Sequence, residues 1–292
     1  MAKGKPRVLA IDGNNFMMRA NYAFSDLTLD DGTKSGVVHG YIKLMRTFVN
    51  KHTPDYFIPL FDYGRSSYRM SLADNYKGNR TAKSDELVVQ MKACREFLRL
   101  AGLTPYVERN VEADDLAAKV AMDCSDDCFV MLVSADHDWT QLTREGKVVH
   151  IKPGIRGNAD KVCTHDAESE AMGIPVERWA EVAAIMGDGG DNVIGLKGYG
   201  WKKSLKLILK YGDVWTACTK DEKLIAHAKQ ILTNYELTKL DGSVPTKPVP
   251  LEQNNMSKVR ELIYDNEEVL DFCDRWQLAS VREAIERHEF WA

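Results

Sequence analysis

The sequence predicts an α/β domain built on an open sheet, followed by a helical subdomain. Three observations carry this. Over roughly the first 170 residues, short apolar runs closed by Gly or an acid alternate with stretches of helical periodicity. After about residue 172 the strand-like runs stop, and the rest reads as helical segments joined by turns such as GDGGDN, GLKGYG and GSVPTKPVP. Acidic residues recur where the apolar runs end, and in an open α/β sheet the C-terminal strand ends share one edge, where sites form.

Arg7–Asp12 is an apolar run closed by a Gly turn, hence a buried strand. From Gly36 to Lys51 the apolar residues Val37, Tyr41, Leu44, Met45 and Phe48 fall on one helical face. Pro54 separates that helix from a strand at Tyr56–Phe61. Tyr63–Ser84 is polar, basic and poor in aliphatics; it breaks the rhythm and reads as an insertion over the site. A helix over Leu87–Leu100 stops at Gly102, and Thr104–Glu108 is a short strand. Ala113–Met122 is a helix with Asp114 and Asp115 in its first turn, where acids suit the helix dipole. Phe129–Val133 is a further strand, and Val148–Ile151 is expected at the sheet edge. Beyond the boundary, Pro175 is expected to open a helix at its first position.

Composition narrows the classes. With 292 residues, 44% hydrophobic and 28% charged, the chain has ordinary globular composition, enough for one large core or a core plus a smaller domain. No apolar stretch approaches the ~18 residues of a membrane span, and MAKGKPRVLAIDG lacks the apolar region of a signal peptide, so a cytosolic protein is expected. Cys94, Cys124, Cys128, Cys163, Cys218 and Cys273 form no CxxC and no zinc-spaced cluster, and read as reduced structural thiols.

Nine acids carry the chemistry: Asp12, Asp62, Glu112, Asp114, Asp115, Asp136, Asp138, Asp188 and Asp191. A solvated cap or turn explains any one of them, but not all nine after the expected elements. Brought to one edge they would repel, and oxygen-seeking divalent cations make such a cluster tolerable. Mg²⁺ or Mn²⁺ and phosphoryl chemistry are therefore expected. Two ions about 4 Å apart would give the group a common purpose. Glu112, Asp114, Asp136 and Asp138 form the expected inner set; Asp12, Asp62 and Asp115 complete or buttress it. Asp188 and Asp191, three apart and on one face if helical, would serve the second ion. The net charge of −4 does not argue against a polyanionic partner, since setting the nine acids aside leaves the rest of the chain at +5.

With IDGNNFMMRA, LFDYG, YKGNR, VEADD, SADHDW, IMGDGGDN and GLKGYGWKK in order, the chain resembles the 5′ nuclease (flap endonuclease) family. The resemblance runs from about Arg7 to about Leu240 and includes the nuclease domain of bacterial DNA polymerase I and stand-alone phage enzymes. All nine acids fall where that family places metal-binding acids. The resemblance implies a PIN-like α/β domain over residues 1–172, with a mostly parallel central sheet flanked by helices and a helical arch or clamp at 63–84. It also implies a C-terminal helical subdomain over 173–292 with a helix–three-turn–helix module at about 181–212. The activity implied is Mg²⁺-dependent hydrolysis of DNA near 5′ flaps, free 5′ ends and junctions, with 5′-3′ exonuclease activity, by a protein expected to be a monomer. No polymerase segment follows, so a stand-alone enzyme or a fragment is expected. His137, inside the Asp136–Asp138 pair, departs from the family pattern and reads as a surface residue.

The same resemblance implies the DNA contacts. Arg65, Arg69, Tyr76, Lys77 and Arg80 lie in the insertion, where a basic groove with aromatic side chains suits a single strand. Lys77 and Arg80 would stabilise charge developing on the scissile phosphate, with Asp62 and Asp114 beside them in the catalytic set. Arg19 and Tyr22 could reach the same phosphate and its base; packing in the core is the other reading of Tyr22. In the duplex-binding module, Gly198 and Gly200 let backbone approach phosphate while Lys197, Lys202, Lys203 and Lys206 add charge. A K⁺ ion held by carbonyls of that turn is also implied. Two other functions fit parts of the pattern: a PIN-type ribonuclease, which needs neither the insertion nor GLKGYG, and a non-catalytic junction-binding protein, which needs no acids.

Overall fold

The computed structural model describes residues 4–155 and 157–291. Six strands form one sheet: β1 (Arg7–Asp12), β2 (Tyr56–Phe61), β3 (Tyr106–Val107), β4 (Phe129–Val133), β5 (Val148–Lys152) and β6 (Lys161–Cys163), in spatial order β3-β2-β1-β4-β5-β6. β1 to β5 are mutually parallel, and β6 pairs antiparallel with β5. The strand order reverses between β1 and β4, so the crevice at their C-terminal ends is the topological switch point. The chain sequence accounts for this: VLAI, FIPLF and VMLV are apolar on both faces, as strands covered on two sides must be.

Alternation along the strands sends residues to two cores. Leu9, Ile11, Phe57, Phe61, Met131 and Val133 face α1 (Gly13–Ala23), α2 (Gly36–His52) and, beyond the insertion helix α3 (Ser67–Leu72), α4 (Asp85–Leu100). Val8, Ala10, Ile58, Leu60, Val130 and Leu132 face α5 (Ala113–Cys124). Gly13 opens α1 where a side chain would collide with the Phe61 ring, so the tight turn after β1 needs glycine. A third core is built by α6 (His165–Met172), α7 (Trp179–Met186), α8 (Trp201–Tyr211), α9 (Val214–Lys220), α10 (Glu222–Ile225) and α11 (Ala228–Thr238). All six cysteines are free and buried.

Several expectations are corrected. β5 is interior, because β6 takes the edge outside it. Helix α1 was not expected, since its apolar residues Phe16, Met17 and Ala20 are too few to make a long stripe. Pro175 is not in the first helical position; it caps a 3-10 turn at Val176–Arg178, and α7 follows. Asp188 and Asp191 do not lie on a helix but on a tight turn closed by an antiparallel bridge between Asp188 and Val193.

The division at 173–292 also changes. After α11 the chain returns to the sheet, where α12 (Met256–Tyr264), α13 (Glu267–Arg275) and α14 (Ala279–Glu286) bury Val259, Ile263, Phe272 and Ile285, and the segment after α14 buries Phe290, in the same core as α2 and α4. Amphipathic helices hide their apolar stripe wherever a complementary face is open, and α4 presents Phe97 to them, 5.5 Å from the Phe272 ring. Phe272→Ala is expected to destabilise the fold by about 3–5 kcal/mol. Equilibrium urea unfolding of the two proteins would measure this.

Candidate active site

Parallel strands bring their C-terminal residues to one edge, and each acid is then fixed by a specific donor. Asp12 ends β1 and caps α1, accepting from Asn15 N at 2.9 Å and from Ser134 Oγ at 2.9 Å. Asp62 follows β2 and accepts from Asn14 Nδ2 at 2.5 Å and from Ala113 N at 2.7 Å. Glu112 stands at the N-cap of α5, with Asp114 and Asp115 in the first turn. Trp139 Nε1 donates to Asp114 at 2.8 Å. Asp136 opens the 3-10 turn His137–Leu142 after β4 and accepts from Asp138 N at 3.0 Å.

Crowding leaves its mark on the titration of this group. Burial, then the neighbouring charge of Asp62, lifts Asp12 to about 8. Burial and the charges of Asp136, Asp114, Asp188 and Asp191 lift Asp138 to about 9. Asp136 is pushed up to about 6 by burial and by Asp114. Glu112 is raised by burial against the opposing pull of Lys77. Asp114 is a common neighbour of all four and thus the centre of the cluster.

The insertion covers this edge with cations. Lys77 Nζ lies 2.8 Å from Glu112 Oε2, 3.4 Å from Asp191 Oδ2 and 4.0 Å from Asp114 Oδ2. Burial works against its ammonium, and the carboxylates outweigh burial, so its pKa stands above the ordinary lysine value. Arg80 meets Asp191 at 2.6 Å. The Lys77 backbone is left-handed, φ +52°, a conformation that a non-glycine residue keeps only where its surroundings hold it. Its N–H donates to the Asp191 carbonyl at 3.0 Å, which supplies part of that hold.

Arg69 and Tyr76 correct the expectation that they face DNA, since each is only 2% exposed. Arg69 grips Asp115 through two bonds, at 2.5 and 2.9 Å, and its Nε donates to the Leu237 carbonyl at 3.0 Å. The Tyr76 hydroxyl donates to Asp191 at 2.8 Å and lies 3.1 Å from Glu112 Oε2. Both side chains therefore belong to the support of the acids. Asp115, its charge matched by the buried Arg69 guanidinium, is a buttress.

Among the described residues, no three acidic, His or Cys side chains form a ready-made metal cage. The donor chemistry nonetheless fits a hard divalent cation: the available ligands are carboxylate oxygens, and their negative charge exceeds what Lys77 and Arg80 offset. Lys77 Nζ occupies the place of a cation between Glu112, Asp114 and Asp191.

A family profile described as 5′-3′ exonuclease, N-terminal resolvase-like domain, matches residues 7–173. The chain belongs to this 5′-3′ exonuclease family. A 5′-3′ exonuclease of Aquifex aeolicus is 27% identical over 267 residues, covering 88% of this chain and 91% of that one. DNA polymerase I of Rhizobium leguminosarum is 32% identical over 251 residues, covering 82% of this chain and 24% of that protein. The chain thus spans about a quarter of that polymerase. Among solved structures, the bacteriophage T5 flap endonuclease in a pseudo-enzyme–product complex with DNA and metal ions aligns with TM-score 0.67 and 21% identity, over 95% of this chain and 99% of that one. T5 5′-exonuclease with bound zinc aligns with TM-score 0.68 and 22% identity, over 96% and 100%. At these identities the structural likeness speaks to the fold, which is the mostly parallel, helix-flanked sheet expected.

In this family member the remaining expected contacts are spread along the same side of the sheet and beyond. Arg19 donates to the Gly154 carbonyl at 2.6 Å, tying α1 to the β5–β6 connection. Tyr22 is 78% exposed, which rules out core packing. Arg65 is exposed and lines a cavity beside Lys77. Lys197, Gly198, Gly200, Lys202, Lys203 and Lys206 are exposed at and after the turn that starts α8. That turn is held in place by Gly195, where a side chain would strike the Met186 carbonyl. Lys203 Nζ sits 3.8 Å over the Tyr199 ring and 3.4 Å from the Gly198 carbonyl. His137 is exposed, with Nδ1 2.5 Å from Lys152 Nζ. The acids were visible in the motifs; their partners Asn14, Asn15, Ser134 and Trp139 were missed. They stand in IDGNN and SADHDW, where only contact across the sheet gives them a role.

The raised carboxyls set a pH dependence. Asp12 and Asp138 bind protons more tightly in the folded chain than at their ordinary value of 3.8, so the native state holds more protons than the unfolded state across the interval from about 4 to about 9. Their contribution to stability is complete at the acid end and is lost as pH rises through about 8 and about 9. A melting series in EDTA should show the transition temperature falling from pH 6 to pH 9, and added Mg²⁺ should flatten that fall. A metal-free protein equally stable at both pH values would contradict this electrostatic account.

Proposed function

We propose that the protein is a divalent-metal-dependent, structure-selective 5′ nuclease that hydrolyses DNA phosphodiesters near 5′ flaps, free 5′ ends and junctions, in replication or repair. The observation that carries the reading is the gathering of acids around Asp114 at the switch point, under an insertion whose cations reach into them. Family membership supports the reaction class, and the T5 flap endonuclease named above, crystallised with DNA and metal ions, supports the substrate and cofactor class.

In this reading Asp12, Asp62, Glu112, Asp114, Asp136, Asp138, Asp188 and Asp191 hold two ions, Mg²⁺ or Mn²⁺, some ligands acting through water. Bound there, divalent ions neutralise phosphate charge and ease loss of a proton from water near neutral pH. The protein's own groups do the remaining work. Asp114 is aimed by the Trp139 indole, and Asp62 by Asn14. Lys77 and Arg80 exchange Glu112 and Asp191 for the scissile phosphate and stabilise its developing charge. Arg19 positions the same phosphate and Tyr22 stacks on the adjoining base.

The sheet of residues 1–172, its core completed by α12 to α14, serves as the catalytic unit, with 63–84 as the clamp over a single strand. The helix–three-turn–helix module at about 181–212 holds duplex backbone, with N–H groups of α8 and its lysines directed at phosphate. Backbone carbonyls of that turn would hold a K⁺ ion, which would steady the turn against phosphate.

Cutting of a 5′-labelled flap duplex should require Mg²⁺ and stop in EDTA. Asp114→Asn should lower cleavage by about a thousandfold or more, about 4 kcal/mol of transition-state stabilisation, while flap binding stays within about threefold by anisotropy. Wild-type turnover in that variant would remove Asp114 from the mechanism.

A further inference from the structure

Behind the loop that carries Asp136 and Asp138 stands a buried imidazole. His150 sits on β5 opposite Leu132 of β4, on the sheet face that carries Val148 and looks toward α5. Its neighbours on that face are apolar, and an aliphatic side chain would suit the place. His150 is instead polar and fully buried, as are Ser134 and Thr140 beside it. Nε2 lies 2.9 Å from the Ser134 carbonyl, and Nδ1 lies 3.1 Å from Thr140 Oγ1. A carbonyl only accepts, so Nε2 carries the hydrogen. Burial lowers the imidazole pKa to about 4, so the ring is neutral and Nδ1 accepts from the Thr140 hydroxyl. Both ring nitrogens are thus satisfied, and a buried polar network in that state makes the local geometry rigid.

The two partners flank the acids. Ser134 precedes Asp136 by two residues, and Thr140 follows Asp138 by two. A single ring on β5 therefore staples both ends of the loop. Ser134 Oγ donates to Asp12 Oδ2 at 2.9 Å and accepts from Asp136 N at 3.0 Å. Trp139, next to Thr140, donates to Asp114, and its ring lies 6.4 Å from the imidazole. From His150, one step through Ser134 reaches Asp12 and Asp136. One step through Thr140 reaches the 3-10 turn that carries Asp138 and the indole on Asp114.

We propose that His150 is a positioning residue for the metal-binding acids, and that its two hydrogen bonds hold Asp136 and Asp138 in register with Asp12 and Asp114 for a divalent ion. This rests on the nuclease reading above. Fully buried, His150 reaches neither strand nor ion; it acts through Ser134 and Thr140. A valine in its place would leave the Ser134 carbonyl and the Thr140 hydroxyl buried without partners, and the loop would shift to satisfy them. The acids would remain, less well placed.

The test compares the parent with three variants. His150→Val removes both bonds, His150→Gln offers an amide N–H in place of Nε2–H, and Thr140→Val removes one bond with little change of shape. Phe272→Ala is the control for lost stability alone, since Phe272 lies in the core on the other face of the sheet. Mn²⁺ binding is measured by calorimetry on the DNA-free protein, at a temperature where circular dichroism shows the variant folded. Cleavage of the flap duplex is measured over a Mg²⁺ series, and flap binding by anisotropy in EDTA. His150→Val should weaken Mn²⁺ binding, and raise the half-maximal Mg²⁺ concentration, by about tenfold or more, with Thr140→Val moving both in the same direction. kcat should fall with KM for the flap and affinity in EDTA near the parent values. His150→Gln should recover part of the loss, and Phe272→Ala should bind Mn²⁺ as the parent does. Parent-like Mn²⁺ affinity and kcat in Thr140→Val and in the folded His150 variants would overturn the proposal, as would an equal loss in Phe272→Ala. A parent that binds Mn²⁺ yet cuts no flap would refute the nuclease reading, and the calorimetry would still decide whether His150 places the acids.

Discussion

Repulsion among carboxylates at the C-terminal edge of the sheet sets the terms for what is built around it. Five parallel strands deliver Asp12, Asp62 and Asp136 to that edge, and the N-terminus of α5 adds three more acids. No such assembly is stable without positive charge or protons. In the structure both are used: Lys77 and Arg80 supply the charge, and the raised values of Asp12 and Asp138 mean that protons supply the rest. The same deficit that makes the cluster unfavourable on its own makes it a receptor for hard cations.

The supporting groups turn a crowd of acids into a directed site. Three of the acids are oriented by neutral donors: Asn15 and Ser134 hold one oxygen each of Asp12, Ala113 and Asn14 one each of Asp62, and Trp139 one oxygen of Asp114. Neutral donors orient a carboxylate without neutralising it. Asp115 is treated differently, since its donor is a cation, the Arg69 guanidinium, and that buried pair ties the insertion to α5 and, through the Leu237 carbonyl, to α11. The insertion is therefore anchored at Arg69 and Tyr76 and exposes Arg65, Arg80 and Lys83, a division of labour between neighbours of similar chemistry.

The return of α12 to α14 to the catalytic sheet alters how the molecule is divided. The core that carries β1 and β2 is closed by residues from the far end of the sequence, with Phe272 and Phe290 packed on Phe97. The helices of residues 165–238 form a separate apolar cluster that meets the site through the Asp188–Val193 turn. Lys77 N–H bonds to the Asp191 carbonyl, so the insertion and that turn share the acids between them.

The sequence by itself determined the sheet, the order of the acids and the family. Runs such as VLAIDG and VMLVSADHD encode both a buried strand and the residue at its end, because strand period and strand length are local properties. It did not reveal α1 or β6, which are short and take their stability from neighbours, nor the turn at Asp188–Asp191, where bridging to Val193 overrides spacing. Nor could it separate Arg69 from Arg80, since one arginine in a basic stretch looks like another until burial and partners are known. Those distinctions were left to tertiary structure, because whether a cation faces an acid, an aromatic ring or open water depends on contacts between residues far apart in the chain.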